Sequence, residues 1–188
     1  VYKRQDIFEL WNKFDSVSIG ASLDAEGPRA ELMRKGTVWE ETVANRKRML
    51  EVCPQVDFYI SATVGLSNCL HVTDFHKNWV EQGLIKPQDF NFNLLQYPMW
   101  QRMDLLPQNE KDKVTAKYKE HIEWLKSQDH LTRASKGFES ALDWMNKKDM
   151  TRMLPTFVSE TRKYDKIRDE NFTDVFPEWK ELFKKYEA

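Results

Sequence analysis

The chain has 188 residues, of which 31% are charged, and its formal net charge is −1. This balance gives no reason to expect a nucleic-acid-binding or membrane-binding surface, and no apolar run approaches the ~20 residues of a membrane span. The length suffices for one sizeable core. Cys53 and Cys69 are the only cysteines. Without a CxxC pair, they are expected to be ordinary buried thiols, which argues against a disulfide scaffold and favours a reducing, cytoplasmic compartment.

The chain starts at Val1 within a predicted helix. Apolar side chains recur at helical spacing over residues 5–14. A chain that begins inside a helix is expected either to have been trimmed or to be a fragment of a longer protein.

The first predicted strand is followed by a group of polar residues. Residues 16–23 carry a short apolar run with small residues between, which predicts a strand buried on both faces. Ser22 and Asp24 lie at its C-terminal end, and a Gly-Pro loop at 27–28 leads to Arg34. Ligands of α/β proteins bind at the C-terminal ends of strands, so chemistry is expected here first.

Two further βα units are predicted. Helices are expected at 37–51 and 73–83, and strands at 57–64 and 90–96. Thr37, with Glu40 as its capping-box partner, and Thr73 are the predicted N-caps, and Gly83 is the predicted helix stop. Repeated βα units predict a parallel sheet. Three strands cannot close a barrel, and the exposed sheet edge points to strands upstream.

Only helices are predicted after Pro107. They are expected at 109–127, at 135–147, at 150–168 and from Pro177 onward. The predicted organisation is therefore an α/β part at 1–106 and a helical part at 107–188.

The histidines suggest no metal site. His71, Asp74 and His76 are close in sequence, but two histidines five positions apart on a helix do not converge on one ion. A capping or surface role is expected for them. His121 and His130 belong to the polar helices and are also expected at the surface.

Common catalytic motifs are missing, since there is no Gly-rich phosphate loop, GxSxG or HExxH. Polar residues do follow the predicted strands, and these candidates are Ser22, Asp24, Arg34, Ser67, Asn68 and Gln96. A ligand role and a structural role stay open for them. Ser22 and Asp24 can cap a turn, and Arg34 can pair with Glu31 or Asp24.

Several of these motifs resemble one enzyme family. SLD at 22–24, RKG at 34–36, and then Trp39 and Asn45 resemble the segment after the fourth strand of radical S-adenosylmethionine enzymes. The later matches are ISATVGLSN at 60–68 with the fifth strand, FNFNLLQYP at 90–98 with the sixth, and KYDKIRDENFTDVFPEW at 163–179 with a cluster-free "twitch" extension.

The resemblance implies the C-terminal half of a partial (β/α)6 TIM-like barrel followed by a twitch-like extension. It implies that Ser22 and Arg34 contact S-adenosylmethionine, because an Arg fork suits the planar methionyl carboxylate. Backbone near the end of the sixth strand would lie by the adenine. The predicted cofactor-binding residues are Ser22, Asp24, Arg34, Asn68, Leu95 and Gln96.

The chain also departs from the family. The CxxxCxxC motif that holds the 4Fe–4S cluster is absent, and so is the GGE-type stretch. Cys53 and Cys69 cannot supply the thiolates that a cluster needs. We therefore expect this chain alone to be inactive, with no catalytic residue assigned. The parent enzyme would cleave the cofactor reductively and abstract hydrogen from a peptide or small-molecule substrate, with the N-terminal half of the barrel as its partner.

An alternative stays open. The chain would then be a non-catalytic α/β binding module whose helical part docks a partner protein. A finished module should be monomeric with a cooperative melt, whereas a half-barrel should expose an apolar edge and aggregate or pair.

Overall fold

A three-stranded parallel sheet organises the fold. A computed structural model describes residues 6–128 and 133–186 of the chain, so His130 lies outside the described residues. The strands are β1 (Ser18–Ala21), β2 (Asp57–Val64) and β3 (Phe90–Leu94). They lie in chain order, with β2 in the middle. The predicted α/β class and parallel sheet are confirmed.

Helices connect and follow the strands. The α-helices are α1 (Ile7–Trp11), α2 (Gly27–Met33), α3 (Trp39–Val52), α4 (Val72–Glu81), α5 (Gln108–Ser127), α6 (Arg133–Asn146), α7 (Leu154–Arg168), α8 (Phe172–Val175) and α9 (Lys180–Tyr186). Short 3₁₀ helices occupy Met99–Gln101, Met103–Leu105, Thr151–Met153 and Pro177–Trp179. Within the described ranges, no helix has the length and apolar character to cross a membrane. The division at residue 106 stays a prediction.

The sheet has one covered face and one open face. Side chains alternate along a strand, and on β2 the buried set includes Phe58 and Ile60. Helices α3 and α4 pack there: Arg46 lies 4.0 Å from the Phe58 ring centre, and Phe75 lies 6.0 Å from Phe90. The opposite side, called the open face below, carries Ser18, Gly20, Tyr59, Ser61, Thr63, Asn91 and Asn93.

The open face corrects the prediction that the first strand is buried on both sides. Ser18 and Gly20 are exposed, while Ile19 and Ala21 are only partly buried. The small apolar residues of β1 suit a strand between two helical layers equally well. Among the described residues, however, the helices that pack on the sheet lie on one side, and the other side of β1 is open.

The start of α3 differs from the prediction. The helix begins at Trp39, and Thr37 and Glu40 form no capping box. Instead, Glu31 of α2 accepts a hydrogen bond of 2.9 Å from the Trp39 backbone N–H. A neighbouring helix thus supplies the acceptor that a local cap would otherwise provide.

Two other boundaries are informative. The predicted loop at residues 27–28 is the first turn of α2, where Pro28 has no N–H to lose. Helix α4 begins at Val72, so Thr73 lies inside the helix and is not its N-cap. Gly83 ends α4 as predicted and has φ +69°, which favours glycine.

Helix α6 lies directly on β3. A Cβ added to Gly137 would lie only 2.6 Å from the Phe92 Cβ, so glycine permits the close approach. The next residue, Phe138, is fully buried and packs edge-on to Phe92 and Tyr118, with ring centres 4.9 and 5.0 Å away. The core is therefore continuous from the sheet into α5 and α6.

The C-terminal segment docks on the loop after β2. The buried indole of Trp179 donates a 3.2 Å hydrogen bond to the Ser67 carbonyl, 112 positions away in sequence. Glu178 beside it lies 2.5 Å from His71 and 3.6 Å from Arg29. The end of the described chain is thus held at the C-terminal edge of the sheet.

Candidate functional site

Three predicted site residues meet at the C-terminal edge of the sheet. They are Asp24, Arg34 and Asn68, called the Asp24 cluster below. Asp24 is buried, and its Oδ1 accepts a 2.7 Å hydrogen bond from the Thr63 backbone N–H. Arg34 donates to the same carboxylate through Nε at 2.7 Å and Nη2 at 3.2 Å. The cluster therefore joins the ends of β1 and β2.

Asn68 is fully buried, and its side chain hydrogen-bonds to the backbone around the loop after β2. Its Oδ1 accepts from the Gly65 N–H at 2.9 Å. Its Nδ2 donates to the carbonyls of Asp24 at 2.8 Å and Thr63 at 3.1 Å. Both amide hydrogens are thus committed to backbone acceptors, and Asn68 acts by holding the two strand ends together.

Arg34 retains capacity for a ligand. Its side chain is 41% exposed, and two of its five N–H donors bind Asp24. The other edge of the guanidinium has no partner among the described residues. A planar carboxylate or phosphate fits such an edge through paired hydrogen bonds. The pairing with Asp24 and a ligand role for Arg34 are therefore compatible.

The other predicted residues lie along the same edge. Ser22 directly follows β1 and is exposed, and Gln96 is exposed just beyond β3. Leu95 continues the sheet, since its N–H donates to the Val64 carbonyl at 2.9 Å. Among the described residues, no hydrogen bond links these three to the Asp24 cluster.

The open face is a further polar surface that the sequence patterns did not predict as a unit. Ser18 donates to Asp57 at 2.9 Å, and Asn93 donates to the Ser61 hydroxyl at 3.0 Å. The Tyr59 ring lies across β1 at Gly20, where a Cβ would come within 2.8 Å of the ring. The alternation of polar and apolar residues in DFYISATV was the available signal.

Two histidines predicted at the surface are buried against each other. His76 Nδ1 lies 3.0 Å from His121 Nε2, and His76 Nε2 lies 3.1 Å from the Pro87 carbonyl. That carbonyl can only accept, so His76 carries its proton on Nε2 and His121 donates to Nδ1. Burial lowers the pKa of His76 to about 3 and that of His121 to about 4. Both are therefore neutral at pH 7.

The cysteines do not fit an iron–sulfur cluster. Cys53 and Cys69 are buried and free, as predicted. Burial raises the pKa of both thiols, which keeps them protonated. Over residues 6–128 and 133–186, no group of three His, Cys, Asp or Glu side chains is placed to hold a metal ion.

Comparison with known proteins adds no relative. No protein-family model, curated protein or solved structure matches the chain. The functional interpretation therefore depends on the geometry of the chain itself and on the motifs at the C-terminal edge of its sheet.

Proposed function

We propose that this chain is part of a radical S-adenosylmethionine enzyme. It would supply strands four to six of a partial (β/α)6 barrel, followed by a helical extension over residues 107–188. One observation carries the proposal: three parallel strands in chain order have helices on one side and a polar open face on the other. A doubly wound sheet has helices on both faces, whereas a barrel wall has them outside only.

The Asp24 cluster has a defined role in this proposal. Arg34 binds the methionyl carboxylate through its free guanidinium edge, and Asp24 positions it by holding the opposite edge. Ser22, Leu95 and Gln96 complete the cofactor side of the sheet edge. Bound S-adenosylmethionine would supply the hydrogen-abstracting chemistry for a peptide or small-molecule substrate.

The 4Fe–4S cluster belongs to another part of the proposed barrel. The buried thiols of Cys53 and Cys69 do not fit it, so no step is assigned to a cluster on these residues. The proposal places the cluster ligands in the N-terminal half of the barrel. Free thiols and an oxygen-sensitive cluster both suit the cytoplasm.

Cofactor binding tests the proposal directly. We expect equilibrium dialysis to show saturable binding of labelled S-adenosylmethionine by the purified chain. Arg34→Gln should weaken binding by about tenfold or more, because a charge-assisted pair is lost. Arg34→Lys keeps the charge but lacks the fork, so it should weaken binding less. Lys35→Gln is the matched control and should bind normally.

Two results would count against the proposal. One is the absence of saturable binding by a folded chain, and the other is equal affinity of the wild type and Arg34→Gln. The coding sequence provides an independent test. A CxxxCxxC motif and about three further βα units should be encoded upstream. Without them, the binding-module alternative would be favoured.

A further inference from the structure

A cleft near the sheet edge has no role in the proposed function. It lies between α2, the segment after β3 and α7, and its volume is about 280 Å³. Its apolar lining comprises Leu32, Met33, Pro98, Trp100, Tyr164 and Phe172. None of the six predicted cofactor residues lines it. The volume suits one small ring-containing molecule and is at the lower end for ligand sites.

One wall of the cleft is aromatic. Trp100 and Tyr164 stack with ring centres 6.3 Å apart and planes 27° apart. The Tyr164 side of this wall is accessible, since that residue is 45% exposed. Aromatic side chains that remain accessible in a cleft offer stacking and edge contacts to a planar ligand.

The acidic side chains in the cleft already have hydrogen-bond or ion-pair partners. Asp165 accepts from the Phe172 N–H at 2.9 Å and from Arg162 at 3.0 Å. Glu170 forms an ion pair with Lys35. These carboxylates therefore exert little net attraction on a cationic ligand.

One arginine supplies the positive charge of the cleft. Arg168 lines the cleft, and its guanidinium carbon lies 5.1 Å from the Tyr164 ring centre. Its one hydrogen bond in the described residues is a long contact of 3.4 Å from Nη1 to the Leu32 carbonyl. No carboxylate pairs with Arg168 in the part of the chain that the structure describes. As far as the described ranges go, the cleft thus offers an arginine without a carboxylate partner beside an aromatic wall.

We propose that this cleft binds a small flat anion, namely an aromatic or heterocyclic ring that carries a phosphate or carboxylate. The ring packs on Trp100 and Tyr164, and the anionic group pairs with Arg168. A mononucleotide and an aromatic carboxylate both have this chemistry. The inference does not depend on the proposed function, because it uses other residues and needs no cofactor.

Matched pairs of probes test the inference. Uridine 5′-monophosphate is compared with uridine, and indole-3-acetate with indole-3-acetamide, by titration into the ¹⁵N-labelled chain. We expect at least one anion to shift the Trp100 indole N–H resonance, assigned with Trp100→Phe. Its neutral partner should bind about tenfold or more weakly. The anion that binds identifies the source of the ligand chemistry.

Substitutions of Arg168 test whether its charge causes the preference for the anionic probe. Arg168→Gln should remove the preference for the anion, and Arg168→Lys should retain part of it. Lys166→Gln is the matched control, because Lys166 is an exposed cation of the same helix outside the cleft lining. The inference would be overturned by failure of both anions to bind at millimolar concentration, by equal affinity for anion and neutral partner, or by an unchanged preference in Arg168→Gln. Displacement of the probe by S-adenosylmethionine would also overturn it, because the cleft would then belong to the cofactor.

Discussion

At the scale of single residues, His76 and His121 form a buried pair of imidazoles. The paired imidazoles of His76 and His121 are enclosed by aromatic rings, including Phe90 and Trp124. A histidine on a helix suggests a solvated face. Here, however, the two buried rings form a hydrogen bond with each other. The partner is 45 positions away, so no local pattern could reveal it.

The histidine pair should make the protein sensitive to mild acid. In the unfolded chain, both histidines take up protons near the ordinary pKa of 6.5. In the folded protein, His121 is protonated only near its pKa of about 4 and His76 only near its pKa of about 3. The unfolded state binds more protons in this window, so stability falls as pH falls below about 6.5. With both histidines titrating at these values, the total loss amounts to about 8 kcal/mol.

Chemical denaturation at a series of pH values measures this effect. His121→Phe removes one of the two titrating groups and retains an aromatic ring. The free energy of unfolding of this variant should therefore depend less steeply on pH between about 6.5 and 4. Equal slopes for the variant and the wild type would show that other groups cause the acid sensitivity.

At the scale of elements, the fit of α6 on β3 depends on a missing side chain. Gly137 faces Phe92 at a distance that leaves no room for a Cβ. An alanine gains up to about 1 kcal/mol of helix propensity, but overpacking a core costs about 1–3 kcal/mol. Packing is the larger effect here because the obstructing atom is a Cβ, which cannot move without its backbone.

Gly137→Ala should therefore destabilise the protein by about 1–2 kcal/mol, measured by urea denaturation. Ser140→Ala, at an exposed position of the same helix, is the control and should change stability by less than about 0.5 kcal/mol. A stabilised Gly137→Ala would mean that α6 can move away from β3 at little cost.

The sequence patterns predicted the helices and strands themselves better than they predicted what packs around each of them. The bounds of β2 are as predicted, at Asp57–Val64, because its aromatic and β-branched residues strongly favour a strand. The prediction that β1 is buried on both faces was wrong, because small apolar residues do not reveal how many helical layers cover a strand. The sequence placed Asp24 and Arg34 at a strand end, but the bidentate pair between them was only one of the open alternatives.

At the scale of the whole molecule, the α/β and helical parts share one core. Phe90 of β3 and Phe138 of α6 are both fully buried, with ring centres 6.4 Å apart. Buried residues form one continuous cluster from α1 to α9. The change from βα units to helices near residue 106 is therefore a change of sequence pattern within a continuous core.

We expect the two parts to unfold together. Calorimetry of the intact chain should give one transition, with a calorimetric enthalpy equal to the van't Hoff value. A chain ending at residue 106 would expose Phe90 and Phe92, and it should lack a cooperative transition. Two separate transitions, or a cooperative melt of 1–106 alone, would show instead that the first part is an independent folding unit.

The hydrogen bond from Trp179 to Ser67 also constrains when the protein can finish folding. During synthesis, the loop after β2 is made 112 residues before the indole that completes it. Until the last helices leave the ribosome, the C-terminal edge of the sheet lacks its docking partner. The sheet edge therefore stays incomplete while residues 68–178 are made, and it gains this contact only when the C-terminal segment docks.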